Sequence, residues 1–193
     1  MCSRVLFCFF GILLLPSFGA AQTSSSGTGL IVGIVGSSQF FDGGENVFDY
    51  DTGYGIGGQL GYRLGQWRAM AEIGYNGSDF RDAGNDVFDV EIIRGDVSLF
   101  YDFGTAAALG NVTPYLGGGV GAANITVKGT GNSSFEDDET GITLHGEIGF
   151  SVGVTESFAI VPQYRLEWFD TGVAGFDENF YAHAFRVAAQ LGF

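Results

Sequence analysis

Apolar and polar residues change places at every second position along this chain, segment after segment. Tyr54, Ile56, Gly58, Leu60 and Tyr62 alternate with Gly55, Gly57, Gln59, Gly61 and Arg63; Trp67, Ala69, Ala71, Ile73 and Tyr75 alternate with Arg68, Met70, Glu72, Gly74 and Asn76. Ile142, Leu144, Ile148, Phe150 and Val152 stand in the same way against Thr143, His145, Glu147 and Ser151. A period of two sends successive side chains to opposite faces of a β-strand. Beyond the N-terminus no segment keeps an apolar 3.6-residue period for three turns, so the fold class is all-β. Eight such segments can be counted, at about 28–40, 53–63, 67–78, 88–103, 113–127, 140–153, 157–169 and 180–193.

An even number of antiparallel strands returns both termini to one side, as a closed up-and-down barrel requires. The connections alternate in kind. Leu64–Gln66 and Val154–Glu156 are short, and 104–112 is longer but small and uncharged. Those at 41–52, 79–87, 128–139 and 170–179 are long and acidic. Short turns at one end and long loops at the other are the asymmetry of outer-membrane barrels. The expectation is an eight-stranded antiparallel up-and-down transmembrane β-barrel. A soluble sandwich or lipocalin-like barrel shares the period but keeps its apolar face inside.

The polar face separates the two. It carries Arg68, Glu72, Arg94, Asp96, His145, Glu147, Gln163, Arg165, Glu167 and Arg186 among many glycines, while Lys128 is the chain's lone lysine. A solvated surface of that area would hold lysines as well. Arginine facing carboxylate suits an enclosed network, because the guanidinium fork pairs bidentately and tolerates burial. Arg68, Glu72, Arg94, Asp96, His145, Glu147, Arg165, Glu167 and Arg186 are therefore the expected lumen charge network. Aromatics gather toward the strand ends, with Tyr62, Trp67, Tyr101, Phe103, Tyr115, Phe158 and Phe193 on the short-turn side. Tyr54, Tyr75, Phe88, Trp168 and Tyr181 gather on the long-loop side, making two interfacial belts.

The N-terminus reads as an export signal. Arg4 precedes the apolar run Val5–Leu15, which is followed by small residues at Gly19 and Ala21. That run fits the signal range of about 7 to 15 residues and falls short of the roughly 20 a membrane-spanning helix needs. Residues 1–21 are expected to be removed, leaving 22–193 as one barrel domain. Cys2 and Cys8 would leave with the signal, so the mature chain has no thiol chemistry. Loss of Arg4, one of 8 basic residues against 22 acidic ones, would make the formal charge of −14 more negative still. Such a chain excludes nucleic acid as a partner, since phosphate backbones need clustered cations.

The last segment, Phe185-Arg186-Val187-Ala188-Ala189-Gln190-Leu191-Gly192-Phe193, ends on Phe with Phe185, Val187, Leu191 and Phe193 in alternate register. It resembles the C-terminal signal read by the barrel-assembly machinery. Leu99-Phe100-Tyr101-Asp102-Phe103, Thr113-Pro114-Tyr115-Leu116-Gly117-Gly118-Gly119-Val120-Gly121, Tyr164-Arg165-Leu166-Glu167-Trp168 and His183-Ala184-Phe185-Arg186-Val187 follow in order. Together they resemble the small eight-stranded outer-membrane barrels that include the OmpA transmembrane domain, OmpX-like proteins and the Omp25/Omp31 surface antigens. The resemblance implies a Gram-negative outer membrane, its lipids and lipopolysaccharide as surroundings, assembly by the barrel machinery, and an extracellular ligand of unknown identity.

Other motifs carry less. Gly53-Tyr54-Gly55-Ile56-Gly57-Gly58 formally matches a dinucleotide fingerprint, but no helix follows to present N–H groups to a pyrophosphate. His145 with Glu147 and Arg165 with Glu167 share faces, which a charge-paired lumen requires regardless of chemistry. No Ser beside a His and a carboxylate is evident. The acids Asp42, Glu45, Asp49, Asp51, Asp79, Asp82, Asp86 and Glu136–Glu139 lack the spacing of a calcium loop. The reading is a structural or surface-interaction barrel with four acidic loops, without cofactor, metal or catalytic residues. A narrow channel is the alternative, and a lipid-modifying enzyme of the outer leaflet the more remote one.

Overall fold

The computed structural model describes residues 28–42, 52–81, 87–104, 111–130, 135–170 and 179–193. The expected signal, 1–21, lies outside the described residues, as do most acids of the first, second and fourth long connections.

Eight strands follow one another: β1 (Gly29–Asp42), β2 (Gly53–Leu64), β3 (Trp67–Arg81), β4 (Val87–Asp102), β5 (Val112–Thr130), β6 (Phe135–Gly153), β7 (Phe158–Asp170) and β8 (Asn179–Gly192). Each pairs antiparallel with its sequence neighbour, and β8 closes on β1 from Ile31↔Gly192 to Asp42↔Tyr181, giving a closed barrel. The β2–β3 hairpin turns through Gly65 and Gln66 between the paired Leu64 and Trp67. Gly65 sits at φ +62°, the left-handed conformation such tight hairpins demand and glycine adopts without cost.

One expected loop is strand. The acidic run Glu136–Glu139 belongs to β6 and pairs Lys128↔Glu136, Val127↔Asp137, Thr126↔Asp138 and Ile125↔Glu139. Acids are poor strand formers. Here the β-branched Ile125, Thr126 and Val127 opposite them carry the ladder onward, and Lys128, opposite Glu136, is held by Glu91 at 2.9 Å.

The wall is turned inside out relative to a soluble barrel. Ile56 and Ile73 are each 67% exposed and Phe185 61%, whereas Arg68, Arg165 and Arg186 are 2% exposed or less. From Trp67 to Tyr75 on β3 the outward positions are all apolar or aromatic, about 26 Å along the strand at ~3.3 Å per residue. Nine residues is the length a tilted strand needs to cross the hydrocarbon core, about 9–11. At the turn end Trp67 packs edge-on against Tyr101 at 5.0 Å, and Tyr101 against Phe103 at 5.3 Å. Tyr54, Tyr75 and Tyr181 are exposed at the loop end.

Tyr115 does not belong to the belt in which the sequence reading places it. It is 3% exposed and points inward, edge-on to Phe100 at 5.4 Å. The run Gly117-Gly118-Gly119 erases the alternation next to it, so its parity is not legible. Phe158 is half-buried, and the side chain of Phe88 lies outside the described residues.

Nor is the interior polar throughout. Along β4 the inward positions read Val90, Ile92, Arg94, Asp96, Ser98, Phe100 and Asp102, apolar on either side of a charged centre. Val90, Ile92, Ala123, Ile125, Val127, Phe169 and Ala182 form one apolar cluster toward the loop end. Ile31, Val35, Met70, Phe100, Tyr115, Val161 and Ala188 form another toward the turn end.

Candidate functional site

The charged layer lies between these two apolar clusters. Its residues come from five strands, and the register brings them level: Glu72 faces Asp96, Glu147 faces Arg165, His145 faces Glu167, and Gln163 faces Arg186. Arg94 donates to Glu167 at 2.6 Å and to Glu72 at 3.2 Å. Arg165 donates from Nε to Glu147 at 2.9 Å and from Nη1 to Asp96 at 3.3 Å. Arg186 donates from Nη1 to Glu147 at 2.9 Å and from Nη2 to both oxygens of Glu72. Glu72, Asp96 and Glu147 thus each serve more than one guanidinium, and Glu167 serves Arg94. Inside a low-dielectric lumen that is what offsets the cost of desolvating them.

Neutral groups complete the layer. Gln59 donates to Glu72 at 2.8 Å, Gln190 to Gln59 at 3.0 Å, and the Tyr115 hydroxyl to Glu147 at 2.9 Å.

The inward glycines of β5 make this convergence possible. Gly119 is paired on one side with Ser98 and on the other with His145. A Cβ there would meet the Val97 carbonyl oxygen and would stand 2.7 Å from Ser98 Oγ and 2.8 Å from His145 Cε1. Side chains of β4 and β6 therefore meet across β5.

Of the nine network residues named from sequence, eight share this layer and Arg68 stands apart. Its Nε donates to Asp102 at 2.9 Å, and its guanidinium lies 4.5 Å from the Tyr115 ring centre. Arg63 approaches the same Asp102 at 3.5 Å. Asp102, fully buried, is absent from the sequence-derived set because it stands beside a turn, where aspartate ordinarily marks chain reversal. Gln59, Gln190, Ser98 and Tyr115 are also absent from it, and parity alone would have singled out the first two.

The structure brings Ser98 beside His145 and Asp96, a triad composition not evident from sequence. Ser98 Oγ lies 2.9 Å from His145 Nε2 and donates to Asp96 Oδ1 at 3.2 Å. Asp96 approaches that same nitrogen, at 3.9 Å, while Nδ1 is buried without a partner. A nucleophilic triad needs the carboxylate on the nitrogen opposite the hydroxyl, where it orients the ring as base. This geometry does not activate Ser98. Among the described residues, no group of three or more His, Cys, Asp or Glu could hold a metal ion.

Two further features complete the barrel's ends. At the turn end a vestibule of about 360 Å³ is lined by Arg63, Asn111, Thr113, Ser151 and Gln190, with Ile31 and Ala159 at its inner wall. On β8 Phe185, Val187 and Leu191 face outward, and just beyond it Phe193 is exposed and its N–H donates to the Leu30 carbonyl at 2.9 Å.

A closed antiparallel barrel with an apolar outer wall, aromatic belts and an ion-paired interior is a transmembrane β-barrel. Residues 10–193 match the family model described as the outer membrane protein beta-barrel domain, and the chain belongs to that family, an outer-membrane protein of the Gram-negative envelope. Solved structures share the fold. Neisserial surface protein A is 19% identical with a TM-score of 0.68, the match covering 85% of this chain and 97% of that one. Ail of Yersinia pestis, crystallised with the heparin analogue sucrose octasulfate, is 12% identical with a TM-score of 0.59, over 86% and 99% of the two chains. A major outer membrane protein of Thermus thermophilus is 10% identical with a TM-score of 0.59, over 85% and 99%. Comparison with curated protein sequences gave no match.

Proposed function

We propose that this protein is a non-conducting surface barrel that contributes to envelope integrity and presents an acidic face outside the cell to cationic molecules. The observation that carries this reading is the separation of its charges. Arg63, Arg68, Arg94, Arg165 and Arg186 face the lumen, and Glu72, Asp96, Asp102, Glu147 and Glu167 answer them there. Of the 22 acidic residues in the chain, these five are internal and Glu156 sits in a turn-end reversal. The other sixteen fall in or beside the loop-end connections, where the basic residues are Arg81 and Lys128. In this family the short turns face the periplasm and the long loops the exterior, so the acid faces outward.

The apolar clusters above and below the charged layer support a sealed lumen, since a water path would have to pass Val90, Ile125 and Phe169 and then Phe100, Val161 and Ala188. A narrow channel is disfavoured on the same ground. The Ser98 geometry, enclosed between the clusters, supports a role without chemistry. Export follows cleavage before Gln22, and the alternating Phe185, Val187, Leu191 and Phe193 are the handle for the assembly machinery. The polysulfate seen with Ail has no counterpart here, because an acidic face repels polyanions.

The test is single-channel recording in planar bilayers combined with capture of labelled polylysine or heparin by proteoliposomes. The reading requires no unitary conductance steps, salt-sensitive polylysine capture and no heparin capture. Regular conductance steps, or heparin bound in preference to polylysine, would overturn it.

A further inference from the structure

We propose that His183, on the lipid-facing wall, anchors the phosphate of an outer-leaflet lipid. The chain has two histidines. His145 is enclosed in the charged layer, whereas His183 is half-buried on the outward face of β8, between the exposed Tyr181 and Phe185. It stands ten residues before Phe193. That is about 33 Å along the strand at ~3.3 Å per residue, and about 23 Å in height at a tilt of ~45°. The apolar band of such a barrel is ~25 Å tall, so this ring lies near its upper edge, where acyl chains give way to headgroups.

The ring is held in one orientation. The hydroxyl of Tyr164, on the outward face of β7, lies 2.6 Å from His183 Nδ1. A phenol in an apolar wall is satisfied by donating, which makes Nδ1 the acceptor and assigns the proton of the neutral imidazole to Nε2. Among the described residues Nε2 has no hydrogen-bond partner. The residues opposite His183 on the adjoining strands, Leu166 and Phe40, are apolar, and the acids Asp170 and Asp42 stand opposite Asn179 and Tyr181, further toward the loop end. A donor facing lipid at this height takes its acceptor from the lipid, and an anionic phosphate oxygen is the strong one. Lys128, the other outward cation among the described side chains, is already held by Glu91. Phe185 packs against Tyr164 at 5.4 Å and against Phe40 at 6.3 Å, giving acyl chains an apolar surface beside the anchor. The site depends on the loop end lying in the outer leaflet, and neither on a sealed lumen nor on what the acidic loops bind.

The probes are phosphorylated lipid A and lipid A stripped of its phosphates, titrated into the mature chain in dodecyl maltoside micelles, which carry no phosphate. Imidazole 1H–15N NMR reads His183 directly, with the enclosed His145 as internal control. The site requires a saturable shift of the His183 Nε2 signal by phosphorylated lipid A, binding of the stripped lipid weaker by about tenfold or more, and a His145 signal that stays in place. His183→Phe, which keeps an aromatic ring on the wall, should retain about tenfold less phosphorylated lipid A in native mass spectrometry. Tyr164→Phe removes the bond that orients the ring, and should alter the tautomer signature of His183 as well as weaken binding. Equal binding of the two lipids, or a His183 signal unmoved at saturating lipid, would overturn the proposal even if a variant failed to fold.

Discussion

The central layer is not electrically symmetric, and the imbalance makes a sharp prediction. Four carboxylates, Glu72, Asp96, Glu147 and Glu167, face three guanidiniums, Arg94, Arg165 and Arg186. Removing one acid brings the layer to balance, whereas removing one arginine doubles its excess. Glu72→Gln keeps the shape and leaves Arg94 on Glu167, Arg186 on Glu147, and Arg165 on Glu147 and Asp96. Its cost should be that of weakened charge-assisted hydrogen bonds, about 1.5–3 kcal/mol. Arg186→Met keeps an unbranched stem but removes the guanidinium, leaving Glu72 and Glu147 short of a donor. Breaking a buried pair in that way costs about 3–5 kcal/mol. The difference of roughly 1.5 kcal/mol is about tenfold in the unfolding equilibrium. Urea unfolding in lipid vesicles, followed by the fluorescence of Trp67 and Trp168 at opposite ends of the barrel, measures both variants. If Arg186→Met proved no less stable than Glu72→Gln, the charge-count argument would be refuted.

Other consequences can be checked alongside. Gly119→Val forces a side chain between Ser98 and His145 and should destabilise by at least ~1–3 kcal/mol, seen as loss of the unboiled, fast-migrating gel species. Phe169→Ala in the loop-end apolar cluster should cost about 3–5 kcal/mol in the same urea titration. Phe193→Ala should refold normally in vitro, since that ring is 76% exposed, but accumulate less in purified outer membranes; unchanged accumulation would remove Phe193 from the assembly signal. Mass spectrometry of lipid A from cells with and without the gene should give the same species, and a new species would reopen the enzymatic reading.

Much of this architecture was legible in the chain because period two is a direct imprint of strand geometry. Strand number, pairing order and the shared face of Arg68, Glu72, Arg94, Asp96, His145, Glu147, Arg165, Glu167 and Arg186 can be written down by counting parity, and the arginine–carboxylate content of that face points it inward. What was illegible had physical reasons. Glycine has no side chain to declare a face, so the run around Gly117–Gly121 hid the inward turn of Tyr115. Strand limits at Glu136–Glu139 depended on cross-strand partners in β5 across the hairpin, which local propensity does not see. The two apolar clusters were hidden because Val90, Ile92, Ile125 and Phe169 look the same whether they face lipid or the lumen. The mutual geometry of Ser98, Asp96 and His145 depends on a glycine in a third strand.

The account rests above all on a closed barrel seated in the outer membrane, and unboiled gel electrophoresis of purified outer membranes tests that most directly. Closed barrels resist SDS until heated. A band in the outer-membrane fraction that changes mobility on boiling is the result predicted. A protein found in the soluble periplasmic fraction, running identically before and after boiling, would contradict it.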